Sequence, residues 1–68
     1  MDVRKRIGLN IAALRKAKGL TQEELGHRAK IHQTYLSNVE QGRRNPSLVV
    51  LDRLAKALKV ELEEIVRR

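Results

Sequence analysis

Five polar side chains in the middle of this chain, Gln33, Thr34, Ser37, Asn38 and Gln41, stand at positions i, i+1, i+4, i+5 and i+8. On a helix that spacing gathers them on one face and sends Leu36 and Val39 to the other. The face carries no charge, in a chain where 34% of residues are charged. A carboxamide offers a donor and an acceptor side by side, the pattern that complements the edge of an adenine. A threonine methyl can pack on the methyl of a thymine. Gln33, Thr34 and Asn38 lie nearest the start of the helix and are the first candidates for contact with bases; Ser37 and Gln41 flank them and reach less directly. For an isolated helix a plain solvated surface would account for the same face, so the surrounding elements must decide.

Other side chains could hold an anion. Gln22 stands directly after a capping residue, where free backbone N–H groups point outward. It is either a good helix former in its place or part of a phosphate clamp. Arg43, Arg44 and Asn45 form a basic loop directly after the amide-rich helix; at least one of the arginines is expected on a phosphate. Glu40 is out of place electrostatically, because it lies in the last turn of its helix, where the dipole disfavours a negative charge. His27 and His32 are the only histidines and no cysteine is present. No metal site or cofactor is therefore expected. Ser37 has no base to activate it, so no nucleophilic constellation forms and no enzyme is expected.

The bulk properties narrow the partner. The chain has 68 residues, read as one domain spanning 1–68, and carries a formal net charge of +7 from 15 Lys/Arg against 8 Asp/Glu. So strong a positive balance implies a polyanionic partner, most simply nucleic acid. Tyr35 is the sole aromatic residue. That argues against single-strand modules, which stack bases on rings. No apolar run is long enough to cross a membrane, and the start of the chain does not read as a secretory signal. The expected setting is the cytoplasm, in association with the nucleoid.

The elements that would position these residues are all helical. Asp2 caps a first helix from about Val3 to Lys18, with Ile7, Ile11 and Leu14 inward and Gly19 as the stop. Thr21-Gln22-Glu23-Glu24 is a capping box, with Leu20 and Leu25 at staple spacing, and opens a short second helix that ends near Ala29. A third helix runs from Gln33 to Glu40 or Gln41, with His32 at its cap and Ile31 and Leu36 as a second staple. Pro46 prevents continuation. Ser47 caps a fourth helix that ends near Leu58, with Leu51, Leu54, Ala55 and Leu58 as its apolar stripe. A fifth, from about Leu62 to Arg67, is too short to be stable unpacked.

Two short helices joined by a tight turn, over about 21–41, form a helix-turn-helix. The runs Leu20-Thr21-Gln22-Glu23-Glu24-Leu25, Tyr35-Leu36-Ser37-Asn38-Val39-Glu40-Gln41-Gly42 and Asn45-Pro46-Ser47-Leu48, in that order, resemble the lambda-repressor-like (Cro/repressor, xenobiotic-response-element) family. The resemblance covers about Ile7 to Val66. The Thr34-Tyr35-Leu36-Ser37 run and the Arg43-Arg44-Asn45 loop look most like controller proteins of restriction–modification systems.

The resemblance implies an all-α, compact five-helix DNA-binding domain. It implies a dimeric transcriptional regulator that reads double-stranded DNA with helix 33–41 in the major groove. It favours Gln33, Thr34, Asn38 and Ser37 for base contacts, and Gln22, Tyr35, Gln41, Arg43, Arg44 and Asn45 for phosphates. It further implies that an arginine of the first helix, Arg15, pairs with Glu40 as a structural ion pair. A dimer is expected through Leu62, Ile65 and Val66, with Val49 a further candidate. No small-molecule effector is apparent. Two positions depart from the family pattern: Lys30 and Lys59 stand where glycine usually adopts positive φ, at a cost on the order of 1 kcal/mol each. Gly26 stands where alanine is usual. The rival reading on the same fold is an antitoxin or adaptor whose partner is a protein; the lack of an appended tail weighs against it.

Overall fold

The computed structural model describes residues 2–68. Five helices follow one another: α1 (Val3–Ala17), α2 (Gln22–Ala29), α3 (Gln33–Glu40), α4 (Leu48–Leu58) and α5 (Leu62–Val66), with no strand among the described residues. Three of the starts carry a side-chain cap. Asp2 accepts from the Arg4 N–H, Thr21 from the Glu24 N–H and Ser47 from the Val50 N–H. The Thr21–Glu24 capping box closes in both directions, and it satisfies donors that α2 would otherwise leave bare. His32 occupies its cap position without a side-chain bond. The entry to α3 therefore relies on packing around it.

The core is built from Ile7 and Ile11 of α1, Leu25 and Ala29 of α2, Leu36 and Val39 of α3, four residues of α4, and Ile65. Ile65 corrects the expectation that it forms part of a subunit interface: it is fully buried in the chain's own core. The reason is that α5 packs against both α1 and α4. A five-residue helix gains its stability from such docking rather than from its own hydrogen bonds. Asn10 Nδ2 donates to the carbonyls of Ile65 and Arg67 at 2.8 and 2.7 Å, and Arg6 donates to the Val66 carbonyl at 3.1 Å. Those donors from α1 satisfy the terminal carbonyls of α5. Leu62 and Val66 pack partly against the core.

Both lysine departures take the left-handed conformation, Lys30 at φ 60° and Lys59 at φ 59°. Each ends a helix where a glycine would do so without strain. Gly8 marks a close approach of α1 to the end of α3. A Cβ there would run into the carbonyl oxygens of Val39 and Glu40, so α1 and α3 meet backbone to backbone. At Gly26 a Cβ would lie 2.9 Å from the Ile31 carbonyl oxygen. Glycine therefore gives the turn into α3 more room than an alanine would.

Candidate nucleic-acid interface

Helix α3 is pinned on one side and free on the other. Leu36 and Val39 are buried beneath it, while Gln33 and Thr34 are exposed and Ser37 and Asn38 are half-exposed. The free side borders an open hollow. Gln33, Thr34, Ser37, Asn38 and Gln41 line it, together with Gln22 and Arg43. Among the described residues, no acidic side chain lines it. Among the described residues, no side-chain hydrogen bond engages Gln33, Thr34 or Asn38, so their polar atoms are available to a partner. Ser37 and Gln41 are bonded to each other, with Gln41 Nε2 donating to Ser37 Oγ at 3.0 Å.

Gln22 reaches this hollow from the first position of α2. Tyr35, Arg44 and Asn45, grouped in the sequence with the phosphate contacts, lie outside the lining. The Arg44 guanidinium sits over the Tyr35 ring, 5.2 Å from its centroid. The ring thus holds an exposed cation beside α3 by a cation–π contact. The loop is fixed at its root: the Arg43 N–H donates to the Asn38 carbonyl at 2.9 Å, and Gly42 turns at φ 77°.

The structure brings Arg15 and Glu40 together. Arg15 Nε donates to Glu40 Oε2 at 2.8 Å and Nη2 to Oε1 at 3.1 Å, while Nη1 donates to the Leu20 carbonyl at 2.8 Å. Their side chains are only 11% and 5% exposed. A carboxylate so placed at a helix C-terminus is tolerable because a planar guanidinium closes on it with two parallel bonds. A third bond was not foreseen from the sequence: Gln22 Nε2 donates to Glu40 Oε1 at 3.0 Å. Neither periodicity nor spacing signals it, because it joins the start of α2 to the end of α3 across 18 positions.

An amide-rich helix face is thus held from behind and bordered by Gln22 and the basic Arg43; an α-helix is an element that a DNA major groove can admit. Residues 11–65 match the helix-turn-helix family model. This chain belongs to the helix-turn-helix family. A relative named as an HTH-type transcriptional regulator, from Sinorhizobium fredii, is 53% identical over 97% of this chain and 86% of its own length. The control protein C.SmaI of Serratia marcescens is 34% identical over the whole of this chain and 81% of its own. Among solved structures, the restriction–modification controller protein C.AhdI of Aeromonas hydrophila superposes with a TM-score of 0.90 at 40% identity. That match covers 91% of this chain and 94% of the other. The all-α, repressor-like fold is thereby established. The chain stands among DNA-binding transcriptional regulators rather than enzymes.

Proposed function

We propose that this chain regulates transcription as a homodimer, each copy laying α3 in the major groove of double-stranded DNA. The observation that carries this reading is the hollow lined by Gln33, Thr34, Ser37 and Asn38, of which Gln33, Thr34 and Asn38 make no side-chain hydrogen bond among the described residues. Those four make the base contacts, with Ser37 ranked last because Gln41 already occupies its oxygen. Gln22, Tyr35, Gln41, Arg43, Arg44 and Asn45 hold phosphates. Phosphate contacts set register and orientation, and base edges supply the sequence preference.

The dimer is isologous, so that two copies read half-sites about one helical turn apart. With Ile65 in the core, its surface falls to Leu48 and Val49, 69% and 63% exposed at the start of α4, together with Leu62 and Val66 of α5. Sedimentation is expected to show a dimer at micromolar concentration and a monomer for Val49→Asp; a monomeric wild-type chain overturns this part. Control of a restriction–modification system is the finer reading. It is supported by the likeness to C.AhdI and C.SmaI over most of their lengths. Action on the nucleoid, in the cytoplasm, goes with it.

The test is selection from random duplexes followed by gel shift with salt titration. A discrete complex is expected, with affinity falling steeply as salt rises. Failure to retard any duplex at low salt would hand the fold to the rival reading, an antitoxin or adaptor bound to another protein.

A further inference from the structure

The hydrogen bond between Gln22 and Glu40 is required by neither residue's separate role. We infer that Glu40, backed by Arg15, is a positioning residue for DNA binding: it fixes the carboxamide of Gln22 so that a remaining N–H serves the phosphate. This rests on the proposed reading of Gln22 as a phosphate clamp.

A glutamine amide alone at a surface is ambivalent. Its last torsion is broad and two-fold, so oxygen and nitrogen exchange places easily. With its oxygen toward DNA it would repel a phosphate. An ionised carboxylate can only accept, so Glu40 admits only the NH2 group of Gln22 on its side. One N–H goes to Glu40 Oε1 at 3.0 Å, and the amide keeps a second to give. The arrangement also deals with the charge it introduces. An unpaired carboxylate beside an anion site would weaken binding, but both Glu40 oxygens are closed by Arg15. Arg15 is held in turn by the Leu20 carbonyl, next to the Thr21 cap of α2. The network therefore ties the phosphate end of α2 to the last residue of α3. A clamp on one backbone and a helix in the groove keep a fixed relation through it.

Charge alone makes the opposite prediction. Deleting a negative charge from a DNA-binding surface should strengthen binding, whereas loss of positioning should weaken it. The experiment compares wild type, Gln22→Ala, Glu40→Gln and the double variant on one selected duplex, with thermal melts to establish that each is folded at the assay temperature. Gln22→Ala is expected to lose about tenfold in affinity, the order set by a hydrogen bond to a charged group. It should do so on all sequences alike. Its salt slope should be retained, because a neutral amide releases no counterion. Glu40→Gln is expected to lose a similar factor in the wild-type background and almost none in the Gln22→Ala background, while it lowers the melting temperature in both. Tighter or unchanged binding by Glu40→Gln, or losses that multiply in the double variant, overturns the inference. An unchanged affinity for Gln22→Ala overturns the clamp itself, which is a separate failure. If Glu40→Gln does not fold, NMR of the unaltered chain decides. A through-bond coupling between Gln22 Nε2 and the Glu40 carboxylate carbon supports the inference, and its absence sinks it.

Discussion

Gln22 and Gln33 are the same residue type at the same place in two neighbouring helices, the first position of α2 and of α3. Their surroundings make them different instruments. Gln22 is half-buried and bonded to a carboxylate that is itself bonded to an arginine. Gln33 is exposed and unengaged. A tied amide has one thing left to offer and suits a contact common to every duplex. A free amide keeps its donor and its acceptor, which is what distinguishing one base edge from another requires. The same contrast separates the two polar regions as wholes, a buried ion-pair network that builds the scaffold and an open amide face that the scaffold presents.

The largest effect expected from breaking this contrast lies on the buried side. Arg15→Met or Glu40→Leu alone leaves an uncompensated charge and should cost roughly 3–5 kcal/mol of stability. The two together should cost far less than their sum, and additive losses in denaturant melts would show that the contact contributes nothing. On the open side, Gln33→Ala should leave stability almost unchanged and cost about 1–3 kcal/mol on the selected operator. A base-substitution scan is expected to show discrimination lost at one base pair per half-site; an equal loss on every sequence would make Gln33 a backbone contact. At the rim, Arg43→Ala should weaken binding to all duplexes. The salt slope should fall by about 0.9 per lost phosphate contact, and by about twice that in a symmetric dimer. A change in base preference instead would move Arg43 into the reading set.

Smaller effects sharpen the scaffold. Lys30→Gly relieves a left-handed lysine and should add on the order of 1 kcal/mol, which for a chain of this size raises the melting temperature by about 4–8 °C. No rise would mean that the lysine repays its strain elsewhere. The smallest effect is on the capping box. The Thr21 backbone N–H, donating to Glu24 at 2.8 Å, holds that carboxyl below its ordinary value. A depressed acid stabilises the fold above its unfolded pKa and loses that contribution as pH falls through the folded one. Glu24→Ala should therefore bring a small loss of melting temperature at neutral pH that vanishes in acid. A loss that persisted in acid would mean that the box acts through packing.

Much of the fold was legible because it is local. Thr21 with Glu24, Asp2, Ser47 and the Gly19 stop act on backbone groups within four residues, so their spacing along the chain is their geometry. The amide face of α3 was legible for the same reason, since one helical period maps sequence onto surface. The ends were less so: α1 stops at Ala17 and α5 at Val66, one residue short of the expected ends, since a helix end also depends on what caps it.

Arg15 and Glu40 came from the family resemblance, because nothing in their separation of 25 positions says that they meet. What folding alone decided is of that long-range kind. Ile65, expected at an interface, becomes core because α5 packs against both α1 and α4. Gly8 has no marker in its neighbourhood, yet the carbonyls of α3 sit where its side chain would be. Gln22 becomes a tied rather than a free amide only because the end of α3 arrives beside the start of α2. Sequence determines which groups a helix can present; which of them find a partner depends on distances between helices, and those exist only once the core has packed.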